Sequence, residues 1–165
     1  MSTNTDVLTP TGQRTITINR TFNLPIDKLW RAWTEPESCK KWWGPEGYTC
    51  PDCTMDFREG GKYLNSMMGA DGKKIWSGGE FRVIVPQKKI VYTDHFADGN
   101  GNRVPPSDYG MGGDWAPELL VSVSFEEVAD KTNMTLRHEG LPVEMADECI
   151  KGWQSSFDKL EKNLA

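Results

Sequence analysis

Cys50-Pro51-Asp52-Cys53 has the C-x-x-C spacing of thiol redox and zinc sites. Redox pairs of this kind sit at a helix N-terminus, where the dipole lowers the thiol pKa. This pair instead opens a stretch of strand character. Residues three apart on a regular strand face opposite sides, so the two thiols meet only if Pro51 bends the chain. A tetrahedral zinc site also asks for two further ligands, and there is no second C-x-x-C. The pair therefore reads as two incidental thiols, with no metal and no cofactor expected. The two histidines, His95 and His138, titrate near neutrality when unperturbed. His138 shares strand phase with Met134 and Leu136 and is expected to face inward. His95 takes the opposite phase from Tyr92, Asp94 and Phe96. No residue is marked as a nucleophile for a Ser–His–Asp arrangement. Gly60-Gly61-Lys62 lacks the spacing and the following hydroxyl of a phosphate loop, and Asp71-Gly72 and Asp98-Gly99 lack the spaced carboxylates of a calcium loop. All three read as turns.

The aromatic and methionine side chains carry a different chemistry, the enclosure of something apolar. Seven tryptophans in 165 residues must bury against something large or line something that needs filling. The candidate lining residues are Tyr63, Met67, Trp76, Phe81 and Tyr92 from the middle of the chain, with Phe96 and Trp115 after them. Met145, Trp153 and Phe157 join them near the C-terminus. Arg20, Asn65 and His138 are candidates for the few polar groups that such a pocket uses to orient its occupant. For each single residue the competing reading is plain core.

The elements that must position these groups follow from periodicity. Thr15 to Phe22 alternates, with Ile16, Ile18 and Phe22 on one face and Arg20 interrupting it, as a half-buried strand does. Pro25 opens a helix whose Ile26, Leu29, Trp30 and Trp33 form one stripe. Thr34-Glu35-Pro36-Glu37 starts a second short helix ending near Trp42-Trp43-Gly44-Pro45. Strands are expected at 48–57, 62–68, 75–85, 89–96, 119–127 and 132–138. Their short connections make neighbours antiparallel. Residues 97–118 form a long loop rich in glycine and proline, a length that is usually functional or mobile. Pro142 opens a helix to about Leu164, with Met145, Cys149, Trp153, Phe157, Leu160 and Leu164 recurring every three or four residues. The fold class that satisfies this order is α+β. A curved seven-stranded antiparallel sheet wraps a long C-terminal helix, with two short helices between the first two strands.

Composition narrows the function classes. The length fits one domain, expected at 14–165 behind a flexible tail of residues 1–13. A net charge of −5 with interspersed signs argues against nucleic acid and anionic membrane as partners. No apolar run approaches the roughly 18 residues of a membrane span, and the N-terminus lacks a signal peptide's basic and apolar regions. The expected location is cytoplasmic, with Cys39, Cys50, Cys53 and Cys149 reduced.

Several short stretches then carry a family resemblance. They are Leu24-Pro25 with Leu29-Trp30-Arg31-Ala32-Trp33-Thr34, and Pro36-Glu37 with Lys41-Trp42-Trp43. Asp56-Phe57-Arg58-Glu59-Gly60-Gly61, Asp71-Gly72-Lys73 and Gly79-Glu80-Phe81 follow. Ile90-Val91-Tyr92-Thr93-Asp94 and Gly152-Trp153 with Phe157-Asp158-Lys159-Leu160 complete the set. In this order and spacing the chain resembles the AHSA-type family, named for an activator of a heat-shock chaperone ATPase, within the START-like, or SRPBCC, superfamily. The resemblance covers residues 15–164 and implies the helix-grip fold. Relatives include lipid and hormone carriers, polyketide cyclases and the chaperone activator, and they share no catalytic motif that could be carried over.

The leading expectation is a protein that binds a small hydrophobic or aromatic molecule between sheet and C-terminal helix, as monomer or dimer. The alternatives are an enzyme acting on such a molecule, as a cyclase or hydrolase would, and a chaperone-type protein-interaction module. A titratable group with a shifted pKa inside the pocket favours the enzyme. A wholly apolar pocket favours the carrier, and a filled core with an exposed apolar patch favours the module.

Overall fold

A computed structural model of the chain describes the backbone of residues 2–8 and residues 13–164. The elements run β1 (Ser2–Leu8), β2 (Arg14–Phe22), α1 (Ile26–Thr34), α2 (Pro36–Cys39) and β3 (Cys53–Met55). They continue with β4 (Lys62–Met68), β5 (Lys74–Val85), β6 (Lys89–Ala97), β7 (Leu119–Val128), β8 (Lys131–Leu141) and α3 (Ala146–Leu164). Every strand pairs antiparallel, in the spatial order β1-β2-β8-β7-β6-β5-β4-β3. The seven strands β2 to β8, the two short helices after β2 and the C-terminal helix make the expected helix-grip arrangement. Of the segment read as a tail, residues 1 and 9–12 lie outside the described residues, and Ser2–Leu8 pairs with β2 as an eighth, edge strand.

One face of the sheet is apolar because the strands alternate. Ile16, Ile18 and Phe22 of β2, Leu119, Val121, Val123 and Phe125 of β7, and Met134, Leu136 and His138 of β8 are buried. Tyr92, Asp94 and Phe96 share the inward phase on β6. On β5 the register shifts between Phe81 and Val83. This bulge turns Ile84 toward the core and leaves Val83 and Val85 exposed, although all three odd positions alternate in sequence. Beside the bulge, a Cβ on Gly79 would stand 1.9 Å from the carbonyl oxygen of Thr93. Only glycine permits that approach.

Several boundaries differ from those read in the sequence, β8 for one running on to Leu141. The expected strand 48–57 shrinks to Cys53–Met55 plus a Thr49–Met68 bridge, because Pro51 has no N–H to give the ladder. Four steps from Thr49 to Cys53 lie opposite three from Asn65 to Met68, so one residue is extra and the chain bulges. Asp52 clamps the bulge: its carboxylate accepts from Ser66 Oγ at 2.7 Å and Lys74 Nζ at 2.8 Å. The second short helix stops at Cys39, and a turn carries the chain to Trp42, whose indole N–H donates to the carbonyl of Ala32. The C-terminal helix begins at Ala146, after a single 3-10 turn at Val143–Met145.

Ionic ties hold α3 over the apolar face. Arg20 of β2 donates to the side chains of Gln154 at 3.0 Å and Asp158 at 2.7 Å. From the other side, Lys159 donates to the carbonyls of Pro45 and Tyr48, and Ser155 Oγ accepts from the N–H of Glu46. Among the described residues no helix is long and apolar enough to cross a membrane.

Candidate functional site

The C-terminal half of α3 packs tightly: Phe157 and Leu160 are fully buried among Phe22, Trp33, Trp42 and the β7–β8 side chains. The N-terminal half meets the sheet through Ala146, which packs with Ile16, Leu119 and Leu141, and leaves space beside that contact. A cavity of about 400 Å³ opens there, within the roughly 300–1,000 Å³ typical of small-molecule pockets. Its helical wall is the stripe Met145, Glu148, Cys149, Gly152, Trp153 and Ser156, which recurs at helical spacing. Its floor is Met67, Ile75, Ser77, Asp94, Phe96, Leu119 and His138 from five strands. Two loops supply the sides, Trp43–Tyr48 and the 97–118 segment through Met111 and Trp115.

Gly152 is part of what keeps the space open. A Cβ built there meets no heavy atom within 4 Å. The sequence suggests that a mid-helix glycine serves close packing; here it faces a hollow instead.

The long loop is tied down at its aromatic end. Trp115 packs edge-on against Phe96 with centroids 5.1 Å apart, and its N–H donates to the carbonyl of Gly112. Tyr109 ends a 3-10 turn at Pro106–Tyr109, and its hydroxyl accepts from the N–H of Trp76 and donates to the carbonyl of Ala97. A second hollow of about 460 Å³ lies beyond Trp115 and Phe96 and shares Asp94, His95 and Leu119 with the first.

One polar array interrupts the apolar floor. The indole N–H of Trp153 donates to His138 Nδ1 at 3.1 Å. His138 Nε2 lies 3.7 Å from Asp94 Oδ2, too far for a hydrogen bond, and has no other partner among the described residues. The single proton of the Tyr63 hydroxyl is shared between the Thr93 carbonyl at 2.9 Å and Asp94 Oδ1 at 3.2 Å. Burial pushes the Asp94 carboxyl up to about 7, against the opposing hydrogen bonds from Tyr63 and the His95 N–H. Burial alone pulls His138 down to about 4. Near neutral pH the array is therefore a neutral imidazole beside a carboxyl poised between its two forms. Cys149, across the cavity, is pushed up to about 11, first by burial and then by the charges of Asp94 and Glu148.

Of the residues picked from the sequence, Met67, Trp115, His138, Met145 and Trp153 line this cavity, and so does Phe96. Tyr63, Phe81 and Tyr92 face inward but border a separate void of about 20 Å³ deeper in the core, together with Asn65. Phe157 is core, stacked on Trp153. Trp76 falls between Ile75 and Ser77 and takes the other face of β5, where the Lys74 ammonium lies 5.5 Å from its ring. Arg20 ties β2 to α3 and does not border the cavity. The lining groups not picked from the sequence include Trp43, Tyr48, Ser77, Asp94, Glu148 and Cys149. Asp94 had a signal: it is the acid in the otherwise apolar phase Tyr92-Asp94-Phe96.

Cys39, Cys50 and Cys53 are brought together in a buried cluster, the bulge at Pro51 having put Cys50 and Cys53 on one side. All four thiols are free. Among the described residues no group of three or more His, Cys, Asp and Glu side chains is arranged to hold a metal ion.

The family model for Activator of Hsp90 ATPase homolog 1-like protein matches residues 23–165. A crystal structure of a Chromobacterium violaceum protein is similar at 26% identity, with a TM-score of 0.75 over 91% of this chain and 96% of that one. A Staphylococcus epidermidis protein solved by NMR is 28% identical, with a TM-score of 0.69 over 91% of this chain and 88% of that one. The AHSA1 protein of Silicibacter pomeroyi shares the fold at 23% identity and a TM-score of 0.73, over 91% of this chain and 96% of that one. No curated protein matches the chain.

Proposed function

The chain belongs to the family of Activator of Hsp90 ATPase homolog 1-like proteins, and on that premise we propose that it binds a small hydrophobic or aromatic molecule between the sheet and α3. The family's fold commonly binds hydrophobic ligands. The observation that carries the reading is the cavity of about 400 Å³ itself, walled by Trp43, Phe96, Trp115, Trp153, Met67 and Met145 with few polar groups among them. An apolar hollow of this size gains by exchanging water for an apolar occupant. Trp115 and Met111 place the 97–118 loop at one mouth, where it acts as a lid. The test is a fluorescence titration with N-phenylnaphthylamine, a neutral apolar probe. Saturable binding at one probe per chain is the expected result, and a linear, non-saturating response would refute it.

A second reading has one observation in its favour. Asp94, pushed up to about 7 beside His138, has the properties of a proton shuttle. Under this reading the occupant is a substrate, and proton transfer at Asp94 promotes its cyclisation or hydrolysis. For the interaction module the described surface offers four exposed large apolar side chains, Val83, Val85, Val128 and Val143.

A further inference from the structure

Asp94 looks into an apolar cavity whose lining holds no lysine or arginine. We infer that the cavity selects an amphipathic cation, an apolar or aromatic body bearing a protonated amine, whose charge sits on Asp94 against the aromatic wall. The inference rests on the cavity-binding reading and specifies its ligand class.

Three observations carry it. First, the cavity lining contains the carboxylates of Asp94 and Glu148 but no lysine or arginine. Arg103, in the adjoining hollow, spends its guanidinium on the carbonyl of Pro117 and on Glu118, 3.1 Å away. Second, the groups that face Asp94 leave its charge unbalanced. Tyr63 from β4 shares its one hydroxyl proton between Asp94 and the nearer Thr93 carbonyl. His138 from β8 is 6% exposed, neutral near pH 7, and stops 3.7 Å short with Nε2 unpartnered among the described residues. Cys149 and Glu148 from α3 add no positive charge, and His95, which lines both hollows, has its Nδ1 3.0 Å from the Phe96 carbonyl. The Asp94 side chain keeps 22% of its surface uncovered, and that surface opens onto the two hollows it lines. Third, four aromatic side chains, Trp43, Phe96, Trp115 and Trp153, share the cavity lining with Asp94. Aromatic faces attract cations through their quadrupole, more strongly where water is excluded. An anionic ligand would meet two carboxylates and no lysine or arginine. A neutral ligand would use the walls and leave Asp94 unanswered.

Calorimetric titration with three probes of one shape separates the cases: naphthylmethylamine, naphthylmethanol and naphthoic acid. At pH 8 the amine is expected to bind about tenfold tighter than the alcohol, and the acid more weakly than either. A cation favours ionised Asp94, so amine affinity should rise from pH 6 to pH 8 while alcohol affinity stays level. This readout needs only the wild-type protein. In Asp94→Asn the amine-to-alcohol ratio should fall to about one and lose its pH dependence. Equal binding of all three, or a preference for the acid, would overturn the cation proposal and leave cavity binding standing. Saturable binding by none of them would overturn both.

Discussion

Trp153 Nε1 and His138 Nδ1 are joined by a 3.1 Å hydrogen bond that runs from the middle of α3 to β8. The indole can only donate, so Nδ1 accepts, and a neutral imidazole in this position carries its proton on Nε2. Asp94 Oδ2 lies 3.7 Å from that nitrogen. Nitrogen-15 NMR of the imidazole should show the Nε2–H tautomer from pH 8 down to about pH 5, with protonation only near 4. An imidazole titrating near 6.5 would contradict this arrangement. Trp153→Phe keeps most of the ring packing and removes the donor. It should cost about 1 kcal/mol in urea denaturation and mix the two tautomers.

Asp94 gives stability a pH dependence whose sign follows from its raised pKa. The folded state holds the Asp94 proton up to about 7, whereas the unfolded chain releases it near 4. The contribution is full below about pH 4 and is lost as pH rises through 7. His138, pulled down to about 4, acts in the opposite sense: its contribution is full above 6.5 and is lost as pH falls through 4. Asp94→Asn isolates the first effect. Relative to wild type the variant should gain roughly 2–4 kcal/mol between pH 5 and pH 8 and level off above that. A difference that stays constant across this range would show that Asp94 is solvated as an ordinary surface carboxylate.

Gly152→Leu should move stability and binding in opposite directions. Replacing a mid-helix glycine adds up to about 1 kcal/mol of helix propensity, and the new Cβ meets nothing within 4 Å. The rest of the side chain occupies the cavity. The melting temperature should rise while N-phenylnaphthylamine binding is lost. If stability fell with binding, α3 would be packing closely at this position.

At Gly79 the expectation is reversed, since a Cβ would lie 1.9 Å from the carbonyl of Thr93. Gly79→Ala should therefore cost about 3 kcal/mol or unfold the domain, as forced overpacking against backbone does. Thermal melts read the difference directly. A loss below about 1 kcal/mol would mean that the β5 bulge can relax.

The faces of the elements were readable in the sequence, but the depth of the space between them was not. Alternation placed Leu119, Val121, Val123 and Phe125, and likewise Met134, Leu136 and His138, on the inward side. The same rule brought Tyr63, Phe81 and Tyr92 inward. Whether an inward side chain meets a cavity depends on what covers it. Trp33, Trp43, Met55 and Cys39 close over those three, leaving only a small void. The bulge after Phe81 was not legible either, because the side-chain alternation of Phe81, Val83 and Val85 looks regular. Gly152 was noticed for the wrong reason, since a missing side chain permits close approach or an open space equally well.

The location of binding is the most direct test, and the tryptophans report it. Seven indole N–H resonances can be followed while N-phenylnaphthylamine is added to nitrogen-15-labelled protein. Trp43, Trp115 and Trp153 line the cavity; Trp42 is buried with its N–H bonded to Ala32, and Trp76 lies on the other face of β5. The expected result is a saturable shift of the Trp43, Trp115 and Trp153 signals, with Trp42 and Trp76 unmoved and the shift abolished in Gly152→Leu. Shifts confined to Trp76 or Trp30, or no saturable shift at Trp153, would contradict a ligand site between the sheet and α3.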